Sequence, residues 1–235
     1  MAVSEIKEEL SLLGDKEKAT ILKRFFKTGK DQYGEGDKFR GIKVPEIRKL
    51  SKKYKDISLS DTKNLLHSKF HEDRLLALFI LVLKYQKGDE ALKEKIYKLY
   101  LANLKYVNNW DLVDLSAEHI IGATLANKDR KLLIKMAKSK VLWERRVAVL
   151  STFNFVKKGE YDQTLQIAEI LLRDDEDLIH KAVGWMLREI GKRNIKAEEK
   201  FLKKYYKIMP RTMLRYAIEK FPESRRQAYL LGKVS

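Results

Sequence analysis

Apolar residues recur at helical spacing along most of the chain. Segments such as RLLALFILVLKYQ (74–86), WDLVDLSAEHIIGATLA (110–126) and IHKAVGWMLREIGKR (179–193) place them three and four residues apart, with charged residues between. No segment alternates polar and apolar residues for long enough to indicate a strand. The 3 prolines and 11 glycines are too few for the turns of an all-β chain of 235 residues. The pattern predicts an all-α fold.

The most apolar helices recur at a nearly constant interval. Their aligned starts are RLLAL at 74, DLVDL at 111, RVAVL at 146, KAVGW at 181 and RYAIE at 215, so the spacings are 37, 35, 35 and 34 residues. Second helical segments lie between them, at 89–103, 161–172 and 196–206. Two helices in each interval are typical of an α-solenoid, and we favour HEAT-like units because no TPR consensus is visible.

The repeat spacing also predicts the domain organisation. We expect a single curved domain, 1–235, in which residues 1–70 form a helical capping region and residues 71–235 form about five two-helix repeats. Arrays of this kind usually bind their partners on the concave face, which we expect to be basic here.

Four of the five aligned strings begin with a cation. These residues are Arg74, Arg146, Lys181 and Arg215. On one face of the array they would suit a phosphate backbone. The alternative is that each is a helix-start position on a solvated surface.

The chain is strongly basic. Its 50 Lys and Arg against 33 Asp and Glu give a formal net charge of +17, and the sequence pI is about 9.7. This balance in a folded chain favours a nucleic-acid partner. A solvated lysine-rich surface is the alternative.

Several function classes are excluded or disfavoured by composition. The chain has no cysteine, which excludes disulfides, thiolate metal sites and a cysteine nucleophile, and suits a reducing compartment. Its start, MAVSEIKEEL, lacks the features of a secretory signal, and the longest apolar run, Leu75 to Leu83, has only 9 residues. We expect a soluble, cytoplasmic protein with no membrane partner, associated with the nucleoid if the source is prokaryotic.

The segment VNNWDLVDLSAEH (107–119) has the clearest potential for chemistry. Asn109 is a suitable N-cap, which puts Trp110 in the first turn and Asp114 four residues later on the same face. Asp114 aligns with apolar or small residues of the other repeats, so a carboxylate there breaks the pattern and indicates a functional site. Alternatively, Asp114 satisfies backbone N–H groups of a neighbouring loop. Asp111 needs no role beyond its favourable position near the helix N-terminus.

Two further segments have weaker signals. Gly184 precedes Trp185 and would let a ligand or another backbone approach closely, although a tryptophan in a solenoid usually fills the core. His67 and His71 are four residues apart, but they lie at a helix boundary and no HExxH motif is present, so no metal site is expected. The glycine-containing segment GEGDKF (34–39) is interpreted as a turn.

Four strings together resemble a known family. They are GIKVPEIRKL (41–50), VNNWDLVDLSA (107–117), WERRVAVLS (143–151) and KAVGWMLREIGK (181–192). In order and spacing they are similar to the HEAT-like-repeat DNA alkylation-repair glycosylases, the AlkD family, over essentially the whole chain.

The resemblance implies roles for individual residues. The catalytic aspartate of the family falls on Asp114, its two active-site tryptophans on Trp110 and Trp185, and its phosphate-gripping arginine on Arg146. The further DNA contacts that we expect are Lys43, Arg74, Lys181 and Arg215.

The chain departs from the family at three positions. Phe25 stands where the family has a tyrosine, Lys43 replaces a glutamine, and Asn154 replaces a lysine. These changes put in doubt how the strand opposite the lesion is held and which lesions are preferred.

The resemblance also implies an activity. The expected function is excision of cationic N3- or N7-alkylated purines from double-stranded DNA by a monomer, with no cofactor, no metal and no obligate protein partner. Two alternatives are a non-catalytic module that binds damaged or branched DNA, and a protein–protein scaffold.

Overall fold

Helices make up the regular structure of the chain. The computed structural model describes residues 2–234, and no β-strand occurs among them. The predicted all-α class with HEAT-like helical repeats is confirmed. No helix within these residues is both long enough and apolar enough to cross a membrane. The helices divide into two compact units at the boundary between residues 120 and 121, and each unit is described by itself. The single continuous domain stays a prediction.

Within residues 2–120, the first unit contains seven α-helices. They are α1 (Ala2–Leu12), α2 (Lys16–Phe25), α3 (Val44–Lys53), α4 (Leu59–Leu66), α5 (His71–Lys87), α6 (Glu90–Ala102) and α7 (Trp110–Asp114). A 3₁₀ turn at Leu104–Tyr106 precedes α7, and a π-helical turn at Glu118–Gly122 follows it.

The described part of the second unit, residues 121–234, contains nine α-helices. They are α8 (Ala123–Leu125), α9 (Lys131–Ala137), α10 (Leu142–Ser151), α11 (Phe153–Val156), α12 (Asp162–Ile170), α13 (Asp177–Gly191), α14 (Ile195–Tyr205), α15 (Arg211–Ala217) and α16 (Glu223–Leu230). Helices α6, α12 and α14 lie where the repeat spacing predicted the second helix of each pair.

Helix α5 forms the buried centre of the first unit. It packs against α3 and α4, and 13 of its 17 residues are buried, so the apolar run from Leu75 is a core helix. Its first turn is buried as well and carries two acids. The Glu72 carboxylate accepts hydrogen bonds from the backbone N–H groups of Arg40 at 2.9 Å and Gly41 at 2.8 Å, and Asp73 pairs with the Arg40 guanidinium at 2.6 Å. These bonds hold the loop before α3 against the start of α5.

Helix α13 forms the corresponding centre of the second unit. It packs against α10, α14 and most extensively α15. Gly184 lies at the contact with α15, where an added Cβ would lie 2.4 Å from the Met213 carbonyl oxygen and 2.5 Å from the Tyr216 Cβ. Of the two interpretations of this glycine, the structure supports close approach of a backbone.

The repeat register is regular in the second unit. Arg146, Lys181 and Arg215 are each the fifth residue of their helices, α10, α13 and α15. Arg74, by contrast, is the fourth residue of α5. The aligned strings therefore identify equivalent helix positions in the second unit, whereas Arg74 in the first unit is displaced by one residue.

We expect Gly184→Ala to destabilise the protein by about 1 to 3 kcal/mol, because the new methyl group forces α15 away from α13. Chemical denaturation measures the change. Gly29→Ala is the control, since its methyl group would meet only the flexible end of the Gln32 side chain. Equal stability of the two variants would contradict the close helix contact.

Candidate active site

Helix α7 carries the two residues that the sequence singled out. The Asn109 side chain accepts a hydrogen bond from the Trp110 N–H at 2.8 Å, which confirms the predicted N-cap. Trp110 and Asp114 are the first and last residues of this short helix, and both are half-buried. Between them, Leu112 and Val113 are fully buried and anchor the helix in the first unit. The structure therefore places the indole and the carboxylate on one anchored turn.

Trp110 belongs to an aromatic cluster. Its ring stacks on Phe26 with centroids 5.1 Å apart and planes inclined by 15°, and it packs edge-to-face with Phe25 at a centroid distance of 5.9 Å. Phe26 also stacks on Phe39. Phe25 is 61% exposed, so this ring forms the outer surface beside the indole. Phe25, which the resemblance aligns with a family tyrosine, thus lies next to Trp110.

A buried ion-pair network fixes the start of α7. The His71 Nε2 atom lies 2.8 Å from the Asp111 carboxylate, and its Nδ1 atom lies 3.2 Å from the Asp37 carboxylate. Asp37 also accepts from the Arg74 guanidinium at 2.7 Å and from the Asn109 amide at 3.4 Å. All five side chains are buried. The network joins α5, the loop around Asp37 and the N-terminus of α7.

This network sets the charge state of the imidazole. Burial by itself lowers the pKa of His71, but the negative charge and hydrogen bonds of Asp111 and Asp37 outweigh it and raise that pKa to about 8. For Asp37, burial opposes ionisation, but the bond to His71 and the charge of Arg74 bring its pKa below the usual value. The interactions of His71 with Asp111 and with Asp37 therefore favour the protonated form of the imidazole.

The network was missed by sequence reasoning. In the sequence, the helix dipole alone accounts for Asp111, Asp37 lies in a segment with the pattern of a turn, and the spacing of His71 suggests only a metal ligand. His71 is 34 residues from Asp37 and 40 from Asp111, so no local spacing relates them. Within residues 2–234, no group of three or more His, Cys, Asp or Glu side chains is arranged to hold a metal ion.

The structure does not support a phosphate contact by Arg74. This residue is only 3% exposed, and its guanidinium donates to Asp37 and to the Ser68 carbonyl oxygen at 3.1 Å. Its charge is therefore used inside the first unit. A cation at the start of a helix has the same sequence pattern whether it faces the core or the solvent.

Asp114 lies near a buried phenol. Burial raises the pKa of Tyr100, and the negative charge of Asp114 adds to that rise. The Tyr100 hydroxyl lies 2.8 Å from the Ser116 hydroxyl. Asp114, the carboxylate that the sequence singled out, thus contributes negative charge at the end of α7.

The other predicted site residues lie in different surroundings. Arg146 is buried and donates to the carbonyl oxygen of Leu178, at the start of α13. Trp185 is half-buried and lies 5.8 Å from the Phe153 ring. Lys181 is half-buried and pairs with Asp177 at 2.8 Å, whereas Arg215 is exposed. A phosphate contact by each of these cations stays a prediction.

Lys43 and Asn154 are the other two positions at which the resemblance implies a departure from the family. Lys43 is exposed and is the N-cap residue of α3. Asn154 is half-buried in α11, and its Cβ would lie 3.0 Å from a Cβ added to Gly122. Because Asp114 lies in the first unit and Trp185 in the second, their membership of one site also stays a prediction.

Comparison with known proteins decides the family. The family model for DNA alkylation repair enzymes matches residues 6–221. The chain belongs to the DNA alkylation repair enzyme family. Membership confirms the resemblance found in the sequence, supports a role in DNA alkylation repair and suggests DNA binding. None of the curated proteins is significantly similar to this family member in sequence.

A solved structure is similar to this family member in fold. It is described as a predicted DNA alkylation repair enzyme from Enterococcus faecalis, with 18% sequence identity and a TM-score of 0.67. The match covers 89% of this chain and 97% of the other. At this identity the likeness shows the common fold.

The His71 network predicts a pH-dependent stability. Because the pKa of His71 rises from 6.5 to about 8 on folding, the ion pairs contribute fully below pH 6.5 and are lost as the pH rises through 8. We expect the free energy of unfolding to fall by about 2 kcal/mol across this window. Denaturation at several pH values measures the fall. His71→Gln should abolish it, and His119→Gln, outside the network, should retain it. The same pH dependence in both variants would contradict the assignment.

Proposed function

We propose that the chain is a monofunctional DNA glycosylase that hydrolyses the N-glycosidic bond of N3- or N7-alkylated purines in duplex DNA. The observation that carries the proposal is the half-buried Asp114 carboxylate, four residues from Trp110 on one anchored turn, in a member of the DNA alkylation repair family. The formal charge of +17 favours attraction of the chain to the DNA backbone.

The chemistry of the lesion needs only one carboxylate. Alkylation at N3 or N7 makes the purine cationic, so the base leaves with the electrons of the bond and needs no general acid. Positive charge then develops on the deoxyribose, as in glycoside hydrolysis. Asp114 would stabilise this charge and orient the attacking water, whose oxygen bonds to the sugar carbon as a proton is released. Opposite charges about 4 Å apart at an effective dielectric of about 20 attract by about 4 kcal/mol.

The remaining residues would position the damaged nucleotide. Trp110 and Trp185 would offer aromatic faces to its sugar and phosphate, and the exposed Phe25 ring extends the aromatic surface beside Trp110. For Arg146 to contact a phosphate of the damaged strand, its buried guanidinium would have to turn away from the Leu178 carbonyl oxygen. Gripping the backbone would leave the base in the stack, so bulky adducts would also be substrates. One monomer would act on one duplex.

Asp114→Asn tests the proposal directly. The amide keeps the shape of the carboxylate but removes its charge, so release of 3-methyladenine and 7-methylguanine from methylated duplex DNA should fall at least about 100-fold. Chromatography of the freed bases measures the rate. DNA affinity should be unchanged, and Asp129→Asn, at an exposed position, should be fully active.

Two other outcomes would overturn the glycosylase. Release of no base by the wild type, together with tight binding to damaged DNA, would favour the non-catalytic module. Full activity of Asp114→Asn would remove the carboxylate from the mechanism.

Exposed cations should set the salt dependence of DNA binding. We expect the double variant Lys43→Gln/Arg215→Gln to lower the slope of log affinity against log salt concentration by about 2, because each cation displaces one condensed counterion. Fluorescence anisotropy with duplex DNA measures the slope. The control is Lys30→Gln/Lys158→Gln, which removes two other exposed cations. Equal slopes in the two variants would show that Lys43 and Arg215 have no special role.

A further inference from the structure

A groove between α3 and α5 has no part in the chemistry proposed for Asp114. It consists of two adjoining pockets of about 440 and 270 Å³, which share Lys52 and Leu83. Both pockets lie within the first unit. The smaller one extends to Leu115, the residue directly after Asp114, so the groove leads to the end of α7.

The rim of the groove is cationic. Its basic residues are Arg48, Lys52, Lys55, Lys84 and Lys87. Within residues 2–234, none of these five pairs with a carboxylate, although Asp56 also lines the larger pocket. Unpaired cations that converge on a groove favour an anionic ligand.

Helix dipoles explain only part of this arrangement. Lys52 lies in the last turn of α3, and Lys84 and Lys87 in that of α5, where cations complement the helix C-termini. Arg48 lies in the middle of α3, and its guanidinium sits 4.5 Å from the centre of the Phe79 ring. Arg48 and Lys52 are four residues apart on one face of α3, and Lys55 lies in the turn that follows the helix. The cations therefore form a track along the groove.

The floor of the groove is apolar. It is formed by Phe79, Val82, Leu83, Leu92 and Leu115, and the three leucines are partly exposed. A duplex offers phosphates to such a rim but keeps its base faces stacked. An unpaired strand offers phosphates to the rim and exposed base faces to the floor. Single-strand-binding grooves combine a cationic track with side chains on which bases stack, and here the partly exposed leucines would take the place of aromatic rings. Gln86, exposed at the edge of the smaller pocket, can bond to base edges.

We propose that the α3–α5 groove binds a single-stranded DNA segment that continues from the duplex held at α7. This inference rests on one part of the proposed function, namely that DNA is the substrate. It does not depend on cleavage of the glycosidic bond. It makes a junction between duplex and single strand a preferred place of action, such as a lesion beside a gap or a displaced strand.

The test compares DNA shapes on one set of variants. Fluorescence anisotropy measures affinity for a blunt duplex, for the same duplex with an oligothymidine overhang, and for the same duplex with an overhang of abasic sugar phosphates. We expect the wild type to bind the oligothymidine overhang about tenfold more tightly than the blunt duplex. The abasic overhang should give a smaller gain, because it offers phosphates without bases.

The triple variant Lys52→Gln/Lys84→Gln/Lys87→Gln should lose the gain from the overhang and keep its affinity for the blunt duplex. Its slope of log affinity against log salt concentration for the overhang should fall by about 2, because each cation at a single strand contributes about 0.7. The matched control is Lys30→Gln/Lys63→Gln/Lys95→Gln, which removes three exposed cations of the same unit that do not line the groove. It should keep the full gain.

Three outcomes would overturn the groove as a single-strand site. They are the absence of any gain in the wild type, an equal loss of affinity for blunt and overhanging DNA in the triple variant, and an equal loss of the gain in the control. Base release from blunt methylated duplex separates this proposal from the glycosylase. The triple variant should excise at the wild-type rate, and a wild type that binds the overhang but releases no base would support the groove and refute the chemistry.

Discussion

The ion pair between His71 and Asp111 is the interaction on which the candidate site depends. Helix α7 has only five residues and cannot be stable by itself, so its position is determined by its buried contacts. Asp111 ties its first turn to α5, while Leu112 and Val113 fill the core beneath. Trp110 and Asp114, at the two ends of the helix, inherit their positions from this anchor. The pair therefore fixes the geometry of α7 as well as contributing stability while His71 is protonated.

Local features of the site could be predicted from sequence, and long-range ones could not. The Asn109 cap and the shared helix of Trp110 and Asp114 follow from spacing within a few residues, and both were predicted correctly. The partner of His71 depends on which helices pack together, and that information is not present in any single segment. Arg74 illustrates the limit: its alignment with the other helix starts is offset by one residue, and its burial depends on Asp37, 37 residues away.

The fold was more predictable than the site, because a helical pattern that recurs at a constant spacing is easier to recognise than one that occurs once. Helix α14 begins at Ile195 and ends at Tyr205, within one residue of the predicted 196–206. The aligned apolar strings do not show the offset of one residue at Arg74, because they do not mark where each helix begins. Charge behaves similarly: composition indicates a nucleic-acid partner, but only packing separates buried cations such as Arg74 from exposed ones such as Arg215.

The common register of α10, α13 and α15 has an evolutionary consequence. The fifth position is equivalent in these helices, but its burial differs from one helix to the next. A substitution at this position can therefore give one repeat a different role from the others. The glycine contact at α13 is the opposite case, since a side chain there would disturb a neighbouring backbone. Such an array can change the exposed residues of one helix at a time while the contacts between its helices stay the same.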